Sequence, residues 1–169
     1  LGGKSVQVVN LLFEKGGSDE LSVAVLPGEE TLSYQSAEGS TKAVTVGPGR
    51  IVLRMKADKV LGMKGLCRLH AEAVAVPPVS GFSGFLNLSG PSDYVFDFSS
   101  FQLKMAPGDF VILGPGEKLD SRRSLSDHFF RRSRPSKLFL EPADERQRHR
   151  PYFGPVVRVY MIVCTGINV

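Results

Sequence analysis

A chain of 169 residues, 42% of them apolar, is long enough to bury one sizeable core. The formal net charge is a modest +4, and the 18 Gly and 11 Pro fall between apolar runs, where turns are needed, not in a low-complexity tract. No apolar run approaches the roughly 18–20 residues of a membrane helix, and the longest, residues 159–164, is the size of a strand, so no membrane span is expected.

Period-two alternation governs the chain from its first third onward. Leu21, Val23 and Val25 share one face of a predicted strand, as do Val44 and Val46, then Ile51, Leu53 and Met55. Tyr94, Phe96 and Phe98 alternate with Asp93, Val95 and Asp97, the pattern of an ordinary strand with its acids exposed, and Phe101, Leu103 and Met105 follow on a further face. Residues 117–132 alone carry a helical pattern. There Leu119, Leu125, Phe129 and Phe130 predict a short amphipathic helix, with Asp120 or Ser121 as its cap. Near the C-terminus Val157, Val159, Met161 and Val163 alternate with Arg158, Tyr160 and Ile162, one face wholly apolar and the other mostly so, which predicts a central strand.

Turn residues punctuate these runs at Gly16-Gly17-Ser18-Asp19, Pro27-Gly28, Gly47-Pro48-Gly49, Ser89-Gly90-Pro91-Ser92 and Pro107-Gly108. The expected fold class is therefore all-β, an antiparallel β-sandwich forming a single domain over residues 1–169, with one long basic loop at 115–155. Residues 8–12 are similar to 85–89, and 47–53 to 106–112, in the same order but at different spacing. Two divergent copies of a β-meander unit, in sub-units 1–78 and 79–169, would produce that similarity, and so would the ordinary reuse of turns in a β protein.

The first of these units, VQVVNLL, then LSVAV, then KAVTVGPGRIVLRM, resembles the small extracytoplasmic bacterial β-sandwich modules that include the accessory protein of alginate O-acetylation and related secreted domains. The similarity covers residues 6–55. It implies an immunoglobulin-like topology, a periplasmic or extracellular location, and a role in adhesion, polysaccharide handling or complex assembly. It carries no single residue's function over. Leu1 stands where an initiator Met would, which agrees with an upstream segment removed by processing, a signal peptide among the alternatives.

Catalytic patterns are weak. His70, His128 and His149 offer few bases for a nucleophilic triad, and Gly81-Phe82-Ser83-Gly84 is not a GxSxG elbow. His149 sits among Arg146, Arg148 and Arg150, whose charges repel a cation, and phosphate-cradling GxxxxGK spacing is absent. An enzyme is not expected, nor a cofactor, nor a metal. Cys67 and Cys164 lack zinc-site spacing. They read as two buried thiols, or as a disulfide if an oxidising compartment and a Cα separation under about 7 Å allow one.

One segment stands apart. Residues 1–114 carry 10 basic and 11 acidic side chains, whereas residues 115–155 carry 10 and 6. Arg122, Arg123, Arg131, Arg132, Arg134, Arg146, Arg148 and Arg150 are interleaved there with Phe129, Phe130 and Tyr152. Arginine beside aromatic rings grips acidic polysaccharide, or phosphate and stacked bases. The plainer reading is a long loop whose arginines pair with Glu141, Asp144 and Glu145 and with water. The function expected is a non-catalytic extracytoplasmic binding or assembly module that contacts a partner protein or an anionic polysaccharide. A nucleic-acid-binding module using residues 122–153 is the alternative, and an enzyme with a site invisible in the sequence comes third.

Overall fold

The computed structural model describes residues 8–13, 17–36, 38–78, 92–115, 124–131 and 157–167. Of these, 55% lie in strands and 8% in helix, so the chain is mostly β, as the alternation predicts. In chain order the strands are β1 (Ser18–Leu26), β2 (Glu30–Gln35), β3 (Thr41–Val46), β4 (Gly49–Lys59), β5 (Cys67–Val76), β6 (Tyr94–Val95), β7 (Phe101–Met105), β8 (Phe110–Leu113) and β9 (Tyr160–Val163). A 3-10 turn at Asp97–Ser99 separates β6 from β7, and a six-residue helix, α1 (Leu125–Phe130), precedes β9.

All ladders between named strands are antiparallel. The long strands β4 and β5 form the centre of a five-stranded sheet, with β1 along the free side of β4. The far edge of β5 is shared, β7 lying opposite residues 67–71 and β6 opposite Val74 and Ala75. Strands β2 and β3 form one two-stranded ribbon, and β8 and β9 another.

The sequence explains why β4 and β5 are central: each lines the core with a run of apolar residues and also buries a valine on its other, mostly charged face. Ile51, Leu53, Met55, Leu69, Ala71, Ala73 and Ala75 face the main core, while Val52 and Val74, paired across the ladder, are buried on the opposite side. Against the core face pack Leu32, Tyr34 and Val46 of the β2–β3 ribbon, Leu125 and Phe129 of α1, and the half-buried Leu113, Tyr160 and Ile162 of the β8–β9 ribbon.

Two Pro-Gly turns carry the chain between layers. At Gly47-Pro48-Gly49 it passes from β3 to β4, and a β-carbon added at Gly49 would collide with the backbone carbonyl oxygen of Val76, so only glycine fits there. At Ala106-Pro107-Gly108-Asp109 it passes from β7 to β8. Pro107 precedes a Gly108 with φ of 96°, and the Asp109 N–H donates to the Ala106 carbonyl at 3.0 Å, the signature of a type II turn.

Four expectations are corrected. In β1, Ser22 pairs with Val52 but Ala24 with Ile51, so Val23 is an inserted bulge residue. The insertion reverses the alternation, turning Leu26 inward and leaving Val25 exposed. Residues 93–98 are not an ordinary strand: the ladder lasts two residues, and the 3-10 turn interrupts it. At that break the Phe96 N–H donates to the Ala73 carbonyl at 3.1 Å, and the Ala73 N–H donates to the Ser99 hydroxyl at 2.9 Å. The ladder groups of Ala73 on this edge are thus satisfied where neither β6 nor β7 lies opposite it. Strand β9 is not central, because among the described residues it pairs with β8 alone. Finally, Ser124, not Asp120 or Ser121, caps α1, its hydroxyl accepting the Asp127 N–H at 3.1 Å. The stretches 79–91 and 116–123, with the second copy's Asn-Leu motif and the Ser89-Gly90-Pro91 part of a predicted turn, lie outside the described residues.

Candidate functional site

Of the basic-aromatic candidates, Phe129, Phe130 and Arg131 are described, and Arg122, Arg123, Arg132, Arg134, Arg146, Arg148, Arg150 and Tyr152 lie outside the described residues. Phe129 is 6% exposed and belongs to the core, which corrects its reading as a stacking surface. Leu125 and Phe129 stand at i and i+4, on one face of α1, and that face packs inward. The spacing already carried this signal. Phe130 is half-buried, with ring centroids 6.0 Å from Phe129 and 6.1 Å from Tyr160. Arg131 is exposed, its Nε 2.9 Å from Asp127 Oδ1 one turn earlier on the helix.

The most distinctive exposed surface lies elsewhere, on the outer face of the β8–β9 ribbon. Phe110 pairs with Val163 and Ile112 with Met161, and paired residues of an antiparallel ladder point to the same side. The alternate residues Val111, Leu113, Tyr160 and Ile162 are half-buried, which leaves Phe110, Ile112, Met161 and Val163 outward and 44–63% exposed. Val157 and Val159, on the same alternation, are exposed as well. These six side chains present roughly 500–600 Å² of apolar surface, the upper end of what a monomeric protein leaves bare. None of them carries a charge. The sequence contained the apolar face; alternation alone could not say that this face, and not the one bearing Arg158, turns outward.

Arg158 explains the reversal. Its guanidinium lies on the half-buried face, where Nη1 donates to the Val23 carbonyl at 3.1 Å, and its backbone N–H donates to the Phe130 carbonyl at 2.7 Å. The Tyr160 hydroxyl on the same face donates to the Phe129 carbonyl at 2.9 Å. The polar tips that seem to disqualify this face are thus spent on backbone acceptors of α1 and of the β1 bulge.

The outer face of the large sheet has a different chemistry. Glu20, Arg54 and Glu72 form one cross-strand row, and Ser18, Lys56, His70 and Gln102 the next. Arg54 donates through Nε and Nη2 to Glu20 Oε1 at 3.0 and 2.7 Å and also pairs with Asp93, while Arg50 Nη2 donates to Glu20 Oε2 at 2.9 Å. The hydrogen bond that Arg54 donates to Asp93 raises the Arg54 pKa, burial opposes this, and Glu20 adds to it. Ser18, Arg54, Met55, Lys56, His70 and Glu72 line a shallow depression of about 200 Å³ beside this network. Its charges neutralise one another, as on an ordinary solvated sheet face. Among the described residues no group of three or more His, Cys, Asp or Glu side chains is placed to hold a metal ion.

At the end of the core nearest β6 an aromatic cluster closes the layers. The Tyr34 ring stacks on Phe98 with centroids 5.7 Å apart and meets Phe96 edge-on at 5.5 Å. The Tyr34 and Tyr94 hydroxyls share a hydrogen bond of 3.0 Å. That bond, and then burial, pushes the Tyr94 hydroxyl up to about 12. Phe96 and Tyr34 are buried within the cluster, while Phe98 covers it from the solvent side.

The fold and this surface define a mostly β, antiparallel protein with an exposed apolar ribbon face. A scan against protein-family models, a search of curated proteins and a search of solved structures each return no match to the chain.

Proposed function

We propose that this protein is a non-catalytic binding and assembly module, that its contact surface is the outer face of the β8–β9 ribbon, and that the partner on that face is a second copy of the chain. The carrying observation is the uncharged, exposed set Phe110, Ile112, Val157, Val159, Met161 and Val163. A face without charge meets its own copy without repulsion, so a two-fold axis through it makes the surface self-complementary. Two copies would bury roughly 1,000 Å² in total, the size at which specific interfaces begin. Two-layer packing of antiparallel sheets supports an immunoglobulin-like sandwich, and the likeness of residues 6–55 to secreted bacterial modules supports a periplasmic or extracellular location. The excess positive charge of residues 115–155 supports an anionic polysaccharide as a second ligand, whose binding would weaken as salt rises.

The test replaces Ile112 and Met161, both exposed, with lysine. Size-exclusion chromatography with light scattering should give a dimer mass for the wild type at tens of micromolar and a monomer mass for the double variant, with unchanged circular dichroism. A wild type that is monomeric at every concentration and elutes with the variant contradicts the proposal.

A further inference from the structure

The chain contains two cysteines, 97 positions apart, and the fold brings them together. Cys67 opens β5, where it pairs with Met105, the last residue of β7, on the core side of the sheet. Cys164 follows β9, and its backbone is bonded on both sides to the turn that leaves Met105: its N–H donates to the Asp109 carbonyl at 2.9 Å, and its carbonyl accepts the Gly108 N–H at 2.7 Å. Both side chains are half-buried and packed against the same core, and the Cys164 thiol lies near enough to Cys67 to help raise its pKa.

We infer that Cys67 and Cys164 form a dithiol site that reacts with small disulfide oxidants and closes into an intramolecular bridge, stapling the β8–β9 ribbon to the five-stranded sheet. This goes beyond the proposed contact surface and does not depend on it. In the first step the Cys164 thiol, having given its proton to solvent, attacks one sulfur of a disulfide RSSR; a Cys164–SR bond forms and RS⁻ leaves. In the second the Cys67 thiol gives up its proton and attacks the Cys164 sulfur, expelling the second RS⁻. Two protein thiols are oxidised, and one external disulfide is reduced to two thiols. Burial, and then the facing Cys164, push the Cys67 thiol up, which suits it to the second, intramolecular attack, where proximity compensates for a smaller thiolate fraction.

Oxidised glutathione is the probe. The intact protein is incubated with it, then digested without reduction and mapped by mass spectrometry. The expected result is a linked peptide pair containing Cys67 and Cys164, with both thiols lost together and a loss of two hydrogens from the intact mass. Because the bridge closes a loop of nearly a hundred residues, Tm should rise by roughly 5–15 °C and return on reduction. Cys67→Ser should stop the reaction at a stable glutathione adduct on Cys164. The wild-type peptide map decides the matter even if that variant folds poorly. Two thiols that persist under oxidised glutathione, separate adducts without a cross-link, or bridges between molecules overturn the inference.

Discussion

Ser99 shows how one side chain can stand in for a missing strand. Its hydroxyl accepts the Ala73 N–H and donates to the Phe96 carbonyl at 2.7 Å, completing the β5 ladder where β6 has ended and β7 has not begun. Ser99→Ala leaves a ladder N–H without its acceptor and should cost about 1–3 kcal/mol; urea denaturation measures it, and a loss below about 0.5 kcal/mol would mean that water replaces the hydroxyl. The Tyr34–Tyr94 bond makes a prediction about pH. Below pH 10, Tyr94 is protonated in both folded and unfolded chains and adds no pH dependence. Between pH 10 and about 12 the unfolded chain releases this proton while the folded chain keeps it, so stability should fall with rising pH across that window and level off above it. Tyr34→Phe removes the partner hydroxyl and should shift the Tyr94 titration back toward 10, as read by ultraviolet absorbance of the folded protein.

At the scale of elements, α1 shows how a functional pattern and a packing pattern can coincide. Phenylalanine beside arginine at residues 129–132 suits polyanion recognition, yet the i, i+4 relation of Leu125 and Phe129 commits Phe129 to the core. Phe129→Ala should therefore destabilise the fold by about 3–5 kcal/mol, and any change in heparin binding should disappear at temperatures where the variant is fully folded. A stable variant with weakened heparin binding would restore the surface role. Strands β4 and β7 were legible because their alternation is unbroken, and the turn at Pro107-Gly108 because its residue types dictate its geometry. The bulge at Val23 and the break at Asp97–Ser99 were not. Both depend on which strand lies opposite, Val52 and Ile51 in one case and Ala73 in the other, and local alternation carries no information about that partner.

For the whole molecule, the same limit explains the contact surface. The sequence shows two nearly apolar faces around residues 157–163 and suggests a strand buried on both sides, but in the fold Arg158 and Tyr160 find backbone acceptors inside, and the fully apolar face is left outward. Partners remote in sequence but adjacent in the fold, Val23 and Phe129, decided which face that was. Composition pointed instead to residues 115–155 as a contact surface, of which the structure describes Pro115 and Ser124–Arg131. The most direct measurement is a methyl NMR dilution series of the wild-type protein from about 10 μM to 1 mM. Self-association through the ribbon should shift or broaden the methyls of Ile112, Val159, Met161 and Val163 as concentration rises, and leave Val52 and Val74 on the far side of the sheet unmoved. Ribbon methyls that do not change over that range, or changes confined to the charged outer face of the sheet, would contradict assembly through this surface.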